Sequence, residues 1–352
     1  MVKIIINDKV AKLKEKSKAK NTQDKYEGDW LKFTNYCQNK YLCNPVDVDD
    51  LESAYALTAN YMDWLHEDPE AKVFKGSSNI PGREKLNNNP YSSSPYKAST
   101  IQRVLASITY KFRLNGFQFD RKNLNIAETI SAIVRDEKNH KSGQAKELLK
   151  ADIIKIIDSI PNNEEDYSNI RDKALILIGF YSFCRRSELL GMQFEHLNFA
   201  DEGIQVLIPF SKTDQTGEGR MIFLPVTNDN YCPVKALNHW LEIAMIEKGP
   251  LFYKINKSNT IEKYTMNFKN QKVSLNDSSF VLILKKRASA AGLDNCNKIS
   301  GHSLRIGSIT QARMNGVPTY EIMAQSGHKT TQMIDRYTKL SNIKETSAAK
   351  KI

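Results

Sequence analysis

His302 and Arg305 stand three residues apart in GHSLR, His328 follows in SGH, and Tyr337 comes nine residues later in DRYTKL. In the i, i+3 relation the imidazole and the guanidinium would share one face of a helix. Arginine forks match the non-bridging oxygens of a phosphate bidentately. A phenol is a nucleophile that leaves a stable aryl-phosphate ester, provided something lowers the cost of removing its proton, whose unperturbed pKa is about 10. Attack on a phosphodiester, whose transition state gathers negative charge on its non-bridging oxygens, is the chemistry these groups suit. A second arginine and a proton donor for the leaving oxygen are missing from the stretch, so other parts of the chain must bring them.

The elements that would position these groups follow from periodicity. Ser303, or the Gly-His before it, opens a helix continued by Ile306, Ile309, Ala312 and Arg313 and stopped at Asn315-Gly316, with Pro318 beyond. Thr319 to Ala324 is a second helical pattern, broken at Ser326-Gly327, and a third runs from about Thr331 through Tyr337. Upstream, a buried helix over Ile170 to Phe183 runs into Cys184-Arg185-Arg186-Ser187-Glu188-Leu189-Leu190. Adjacent arginines at the end of an apolar helix must reach a partner or solvent, because an unpaired buried charge is costly. Gly203 to Phe210 and Arg220 to Val226 read as two strands joined by SKTDQTGEG, a polar, Gly-rich hairpin loop with Lys212 near its start. A lysine there can reach into a cleft as a proton donor; it can equally be an ordinary turn lysine. Further helices are expected at about Lys150 to Ser159, Cys232 to Lys248 and Ser279 to Ala291.

The N-terminal part carries no such constellation. Met1 to Lys20 holds seven lysines against Asp8 and Glu15 and reads as a basic arm, either touching phosphates or simply solvated. Tyr26, Trp30, Phe33 and Cys37 mark a helical core stripe from Asn21, and Leu51, Tyr55, Leu57, Tyr61 and Leu65 mark a second helix over Asp49 to His66. Val73 to Lys97, rich in Asn, Ser, Gly and Pro, is a long loop. A third helix from Ser99 to Asn115-Gly116 places Ile101, Leu105, Ile108 and Phe112 inward. That leaves Gln102, Arg103, Ser107 and Tyr110 outward, a face that suits either a major-groove reader or solvent. A fourth covers about Ile126 to Glu137, and the polar, basic run Lys138 to Lys146 is the linker, its Lys141 and Lys146 placed to follow a DNA backbone.

The 352 residues suffice for two domains, each with a core. No run approaches about 18 uninterrupted apolar residues, so no membrane span is expected, and the five scattered cysteines read as reduced thiols. A formal charge of +11 favours a polyanionic partner, nucleic acid first. No Asp/Glu/His cluster has metal-ligand spacing, which disfavours a metal-dependent nuclease.

Taken in order, Arg185 in RRSEL, Lys212 in SKTD, His302 and Arg305 in GHSLR, His328 in SGH and Tyr337 in DRYTKL resemble the pattern of the tyrosine recombinase (phage integrase) family. Within the Arg185-Arg186 pair, spacing to Ser187-Glu188-Leu189 selects Arg185. The AGLD helix and, more loosely, the Thr100-Ile101-Gln102 helix extend the resemblance to about residues 21 to 345, in the simple, Cre-like two-domain type. It implies a mainly α (α+β) protein forming a clamp around DNA: a basic arm (1–20), an all-α core-binding domain (21–137), a linker (138–148) and a mixed α/β catalytic domain with a small antiparallel sheet (149–352). It implies a site-specific recombinase that cuts and rejoins DNA through a 3′-phosphotyrosyl intermediate. Arg185 and Arg305 would clamp the phosphate, Lys212 would protonate the leaving 5′ oxygen, and His302 would handle the nucleophile's proton or hydrogen-bond the phosphate. His328 would hold a non-bridging oxygen, Tyr337 would attack, and Glu188 would orient the cluster.

No cofactor, ATP or metal is expected. The partners are double-stranded DNA with a short inverted-repeat core site and, on synapsed DNA, three further copies of the chain. The brief polar tail from Ser341 suggests a monomer when free. The setting expected is the cytoplasm or nucleoid, or a host cell's cytoplasm or nucleus for a viral or eukaryotic element. The competing readings are a catalytically silent DNA-binding protein of the same fold and a type IB topoisomerase-like enzyme. Taken singly, His302 could cap a helix, His328 fill a turn and Tyr337 pack as a core aromatic.

Overall fold

The computed structural model describes residues 20–68, 71, 96–139, 145–209, 219–262 and 274–335. The chain divides into two compact units, residues 1–142 and 143–352.

The first unit contains helices α1 (Lys20–Tyr41), α2 (Leu51–Glu67), α3 (Ala98–Leu114) and α4 (Leu124–Asn139). Asp50 caps α2 by accepting from the Ser53 amide at 2.6 Å, satisfying one of the amides a helix start leaves without a partner. The core is aromatic: Phe33, Tyr61, Phe112 and Phe119 are fully buried, and the Phe112 and Phe119 rings stack at 4.9 Å. Ile101, Leu105, Ile108 and Phe112 of α3 face inward as expected, but Ser107 does not face out. It is fully buried, and its hydroxyl donates to the Tyr26 carbonyl at 3.0 Å. Helix α3 packs against α1 and α2, so its buried arc is wider than a single stripe.

In the second unit the order is α5 (Lys150–Asp158), α6 (Tyr167–Tyr181), α7 (Arg186–Leu190), β1 (Leu197–Ala200), β2 (Gly203–Ile208), β3 (Arg220–Pro225), α8 (Pro233–Ile243), α9 (Asp277–Ala290), α10 (Ser303–Met314) and α11 (Thr319–Ser326). Helix α6 is buried on nearly every side, and it packs against both α8 and α10 at the centre of this core. Trp240 of α8, fully buried, donates its indole N–H to the Leu251 carbonyl at 2.7 Å.

The three strands pair antiparallel in the order β1-β2-β3. Val206 lies opposite Ile222, and Ile208 opposite Arg220. Ile204, Val206 and Ile208 of β2 and Ile222 and Leu224 of β3 all face the core. Strand β1, whose last three residues are exposed, adds an edge to the expected hairpin.

Candidate active site

The turn after α6 builds one wall of the site. Phe183 holds φ of +56°, a region L-residues other than Asn and Asp rarely enter. Its carbonyl accepts from Arg305 Nη1 at 2.7 Å. Two residues on, Arg185 is the N-cap of α7 and Glu188 its N3 position. The Glu188 carboxylate folds back onto the cap, accepting from the Arg185 amide at 2.9 Å and from Arg185 Nη1 at 2.8 Å. Arg186 takes another direction: its Nη2 donates to Asp277 at 2.5 Å and its side chain packs on Gly301. Thus the adjacent arginines are divided, one toward Glu188 and one toward α9.

Helix α10 carries the next two groups, with His302 at its N-cap and Arg305 in its first turn. Gly307 lets this helix seat closely: a Cβ there would fall 1.8 Å from the Leu148 carbonyl oxygen, an impossible contact. Leu148 in turn donates its amide to the Ser303 carbonyl at 3.3 Å. Arg305 is thereby held with its side chain only 3% exposed, Nη1 lying 3.9 Å from Glu188 Oε2 and Nη2 3.0 Å from His328 Nε2. His302 is exposed, its amide donating to Ser300 Oγ at 3.2 Å.

Helix α11 places His328. Gln325 hooks onto β3, accepting from the Phe223 amide at 3.3 Å and donating to the Phe223 carbonyl at 2.9 Å. Gly327, at φ of +69°, ends the helix and turns the chain into His328. Arginine can only donate, so His328 Nε2 is the acceptor, and the ring proton lies on Nδ1, 2.8 Å from Ser326 Oγ. Burial, and after it the positive charges of Arg305, Arg185 and Arg220, push this imidazole down to about 4, so it is neutral near pH 7. Glu188 behaves oppositely. Burial pushes its carboxyl up, but hydrogen bonds and charge from Arg220 and Arg185 override burial and hold it at about 2.

Arg220 is the member that sequence reading missed. It opens β3, and its Nη2 donates to Glu188 Oε2 at 2.9 Å. The signal was present in the alternation, since Arg220, Ile222 and Leu224 lie on one face of the strand and the two apolar residues are buried. Ser326, fully buried against His328, and the Phe183 carbonyl were also unforeseen.

Arg185, Glu188, Arg305 and His328 thus come together from the turn after α6, from α7, from α10 and from the residues after α11. Lys212, Tyr337 and Lys141 lie outside the described residues, as do the basic arm through residue 19 and most of the Asn/Ser-rich loop. The chain is helical over 331–335, and Ile334 is buried beside Ile309, Ala312 and Ile322. In the first unit, Gln102 is exposed and Arg103 is paired with the buried Asp29. Lys146 holds the start of the second unit, its Nζ donating to the Asp294 carbonyl at 2.5 Å.

Among the described residues, three arginines converge on one carboxylate beside a neutral histidine, leaving a surplus of positive charge. An anion with several oxygens, such as a phosphate, matches that surplus. No group of three or more His, Cys, Asp or Glu among the described residues is placed to hold a metal ion.

Comparison with known proteins agrees with this chemistry. The family described as phage integrase matches residues 146–343. A relative from Selenomonas ruminantium, an integrase/recombinase xerD homolog, is 32% identical over 333 residues, spanning 94% of this chain and 84% of that protein. The fold is similar to that of the XerH site-specific recombinase bound to palindromic difH substrate in a post-cleavage complex. The TM-score is 0.57 at 14% identity, over 90% of this chain and 75% of that one. A lambda integrase dimer bound to a COC′ core site is similar at TM-score 0.52 and 13% identity, over 92% of this chain and 73% of that one.

Proposed function

The chain belongs to the phage integrase family and is a tyrosine-type site-specific recombinase, and we propose that it cuts and rejoins double-stranded DNA through a 3′-phosphate ester on Tyr337. The Tyr337 oxygen attacks phosphorus as the bond to the 5′ oxygen breaks. Lys212 gives that oxygen a proton, and His302 takes the phenolic proton or hydrogen-bonds the phosphate. One phosphoester replaces another, so a 5′-hydroxyl from a second strand can reverse the step without ATP.

The observation that carries this reading is the Glu188 cluster, where Arg185 and Arg305 are held on one carboxylate whose charge falls short of theirs. A phosphate oxygen arriving at Arg305 Nη2 would take the acceptor place that His328 Nε2 now fills. His328 Nε2 would then be released from Arg305. A shift of the ring proton from Nδ1 to Nε2, with the Ser326 hydroxyl donating to Nδ1, would let it donate to another phosphate oxygen. The two arginines and Lys212 supply the positive charge that a divalent ion supplies in other phosphoryl-transfer sites.

The partner we propose is DNA with a short inverted-repeat core site, contacted by Gln102, Arg103, Lys141 and Lys146. Four copies assemble on synapsed DNA, and the free chain is a monomer. Among the described residues no helix is long and apolar enough to cross a membrane. The place of action we propose is wherever the DNA is, the cytoplasm or nucleoid.

The test is covalent trapping. Nicked suicide duplexes from the flanks of the gene, mixed with the protein in EDTA, should give a denaturant-resistant protein–DNA adduct with the wild type and none with Tyr337→Phe. An adduct that persists in the variant would move the nucleophile elsewhere. DNA binding with no adduct from any flanking duplex would favour a silent binder, and an adduct abolished by EDTA would restore the metal-dependent class.

A further inference from the structure

We propose that Arg220 is a positioning residue of strand cleavage, holding Glu188 and the Gly327-His328 turn so that Arg185, Arg305 and His328 meet the phosphate together. This rests on the strand-transfer reading above.

Arg220 sits where three parts of the site join. It is the first residue of β3, opposite Ile208, and Lys212 belongs to the sequence that joins β2 to β3. Its Nη2 donates to Glu188 Oε2 at 2.9 Å and lies 3.5 Å from Cys184 Sγ. The same Oε2 accepts the Arg185 amide at 2.9 Å and faces Arg305 Nη1 at 3.9 Å. The rest of the guanidinium abuts Gly327, where a Cβ would stand 3.0 Å from each of Cζ, Nε and Nη1. A glycine is therefore needed there both for its φ of +69° and for the nearness of Arg220.

The remaining donors, Nε and Nη1, are buried and find no acceptor among the described residues. An arginine kept only for packing is poorly designed this way, since an apolar side chain of similar volume would avoid the desolvation. What an apolar side chain cannot supply is the charge and the donor that keep Glu188 an ionised acceptor. Arg220 does not reach the DNA itself, because those two nitrogens are closed to solvent.

The groups facing Glu188 are Arg185 at the α7 cap, Arg220 on β3 and Arg305 on α10, with the Cys184 thiol beside Arg220 and the His328 imidazole beyond Arg305. Without Arg220, burial would drive Glu188 toward its neutral acid. That acid would no longer bond both the amide and the guanidinium of Arg185.

The experiment is single-turnover cleavage of a suicide duplex by the full chain from pH 5 to 9, with duplex affinity measured by mobility shift. Arg220→Gln should cleave roughly a hundredfold more slowly at pH 8 while its affinity stays within about threefold. Its rate should also fall more steeply toward pH 5 than the wild type's, along an added acid limb, as Glu188 takes up a proton. The double variant Arg220→Gln/Glu188→Gln should lose that limb, which separates titration of Glu188 from that of His328. Arg220→Lys keeps the charge but not the fork, and should cleave slowly without the limb.

Wild-type rate in either single variant, or a slow, folded Arg220→Gln with no added acid limb, would overturn the proposal. If Arg220→Gln shows no thermal transition, Arg220→Lys decides alone: slow cleavage at unchanged affinity supports the proposal, and wild-type cleavage overturns it. Absence of an adduct from the wild type would instead sink the strand-transfer reading, so the two failures are distinct.

Discussion

Two buried arginine–carboxylate clusters lie in the second unit, made of the same parts and finished differently. At Asp172, one carboxylate oxygen accepts from Arg171 Nε at 3.0 Å and Nη2 at 2.7 Å, and the other from Arg287 Nε at 2.8 Å. Two further donors are spent as well, Arg287 Nη2 on Asn169 and Arg171 Nη1 on the Tyr253 carbonyl. No buried nitrogen of either arginine lacks an acceptor among the described residues. At Glu188, three arginines share one carboxylate, a donor of Arg305 is lent to a neutral histidine, and two of Arg220 have no acceptor among the described residues. A closed cluster staples α6 to α9, whereas the surplus charge at Glu188 and the Arg305 donor lent to His328 leave capacity for a further anion. Burial of an ion pair is by itself weak evidence for function. The ratio of charges and the Arg305 donor lent to a neutral histidine tell the two apart.

The largest expected effect would break this contrast if it failed. Arg305→Gln should slow single-turnover strand cleavage by roughly 10²–10³-fold, while binding the same duplex within about tenfold. Cleavage at nearly the wild-type rate would remove Arg305 from the reaction and leave the Glu188 cluster as structural as the other.

Asp172→Asn sharpens the contrast from the opposite side. It leaves two buried guanidinium groups without a countercharge and should cost about 3–5 kcal/mol in urea or thermal unfolding. Its folded fraction should cleave much as the wild type does. A matching collapse of cleavage in fully folded protein would merge the two clusters into one functional unit.

The third effect is smaller and appears as pH dependence of stability. His328 is held at about 4 in the folded chain against an ordinary 6.5. The folded state therefore favours the neutral ring, so this contribution is fully present above pH 6.5 and is lost as pH falls toward 4. Glu188, lowered to about 2 from 4.5, gives its corresponding loss at lower pH. The Tm of the wild type should drop from pH 7 to pH 5, and His328→Gln should show a shallower drop. Equal slopes would mean that His328 is not the neutral acceptor described above.

Much of the architecture could be read from local chemistry. Asn315-Gly316 and Ser326-Gly327 stop α10 and α11 where turn residues should, with Gly316 and Gly327 both at positive φ. Strand β1 escaped because three of its four residues are exposed, so it has no inward–outward alternation to detect. Ser107 was misplaced because α3 is packed on more than one side, and a hydroxyl bonded to Tyr26 tolerates burial that its polarity argues against. Of the candidate site, Arg185, Arg305 and His328 could be picked from the sequence and Glu188 named as an orienting group, and these four lie together in the structure. Lys212 and Tyr337 lie outside the described residues. That Arg220 shares the oxygen used by Arg185 could not be named, because the contact joins positions 32 residues apart through the return of a hairpin. Local patterns report which face a side chain takes, whereas partners across a fold depend on how whole elements pack.

The most direct measurement takes one arginine from each cluster, Arg185→Gln and Arg287→Gln, and records thermal unfolding and suicide-duplex cleavage on the same preparations. Arg185→Gln is expected to keep a Tm near the wild type's and lose cleavage by roughly 10²–10³-fold. Arg287→Gln should unfold at a clearly lower temperature and, below it, cleave at close to the wild-type rate. If both variants lost cleavage alike, or if Arg185→Gln cleaved normally, the division into a structural cluster and a phosphate-binding one would be wrong.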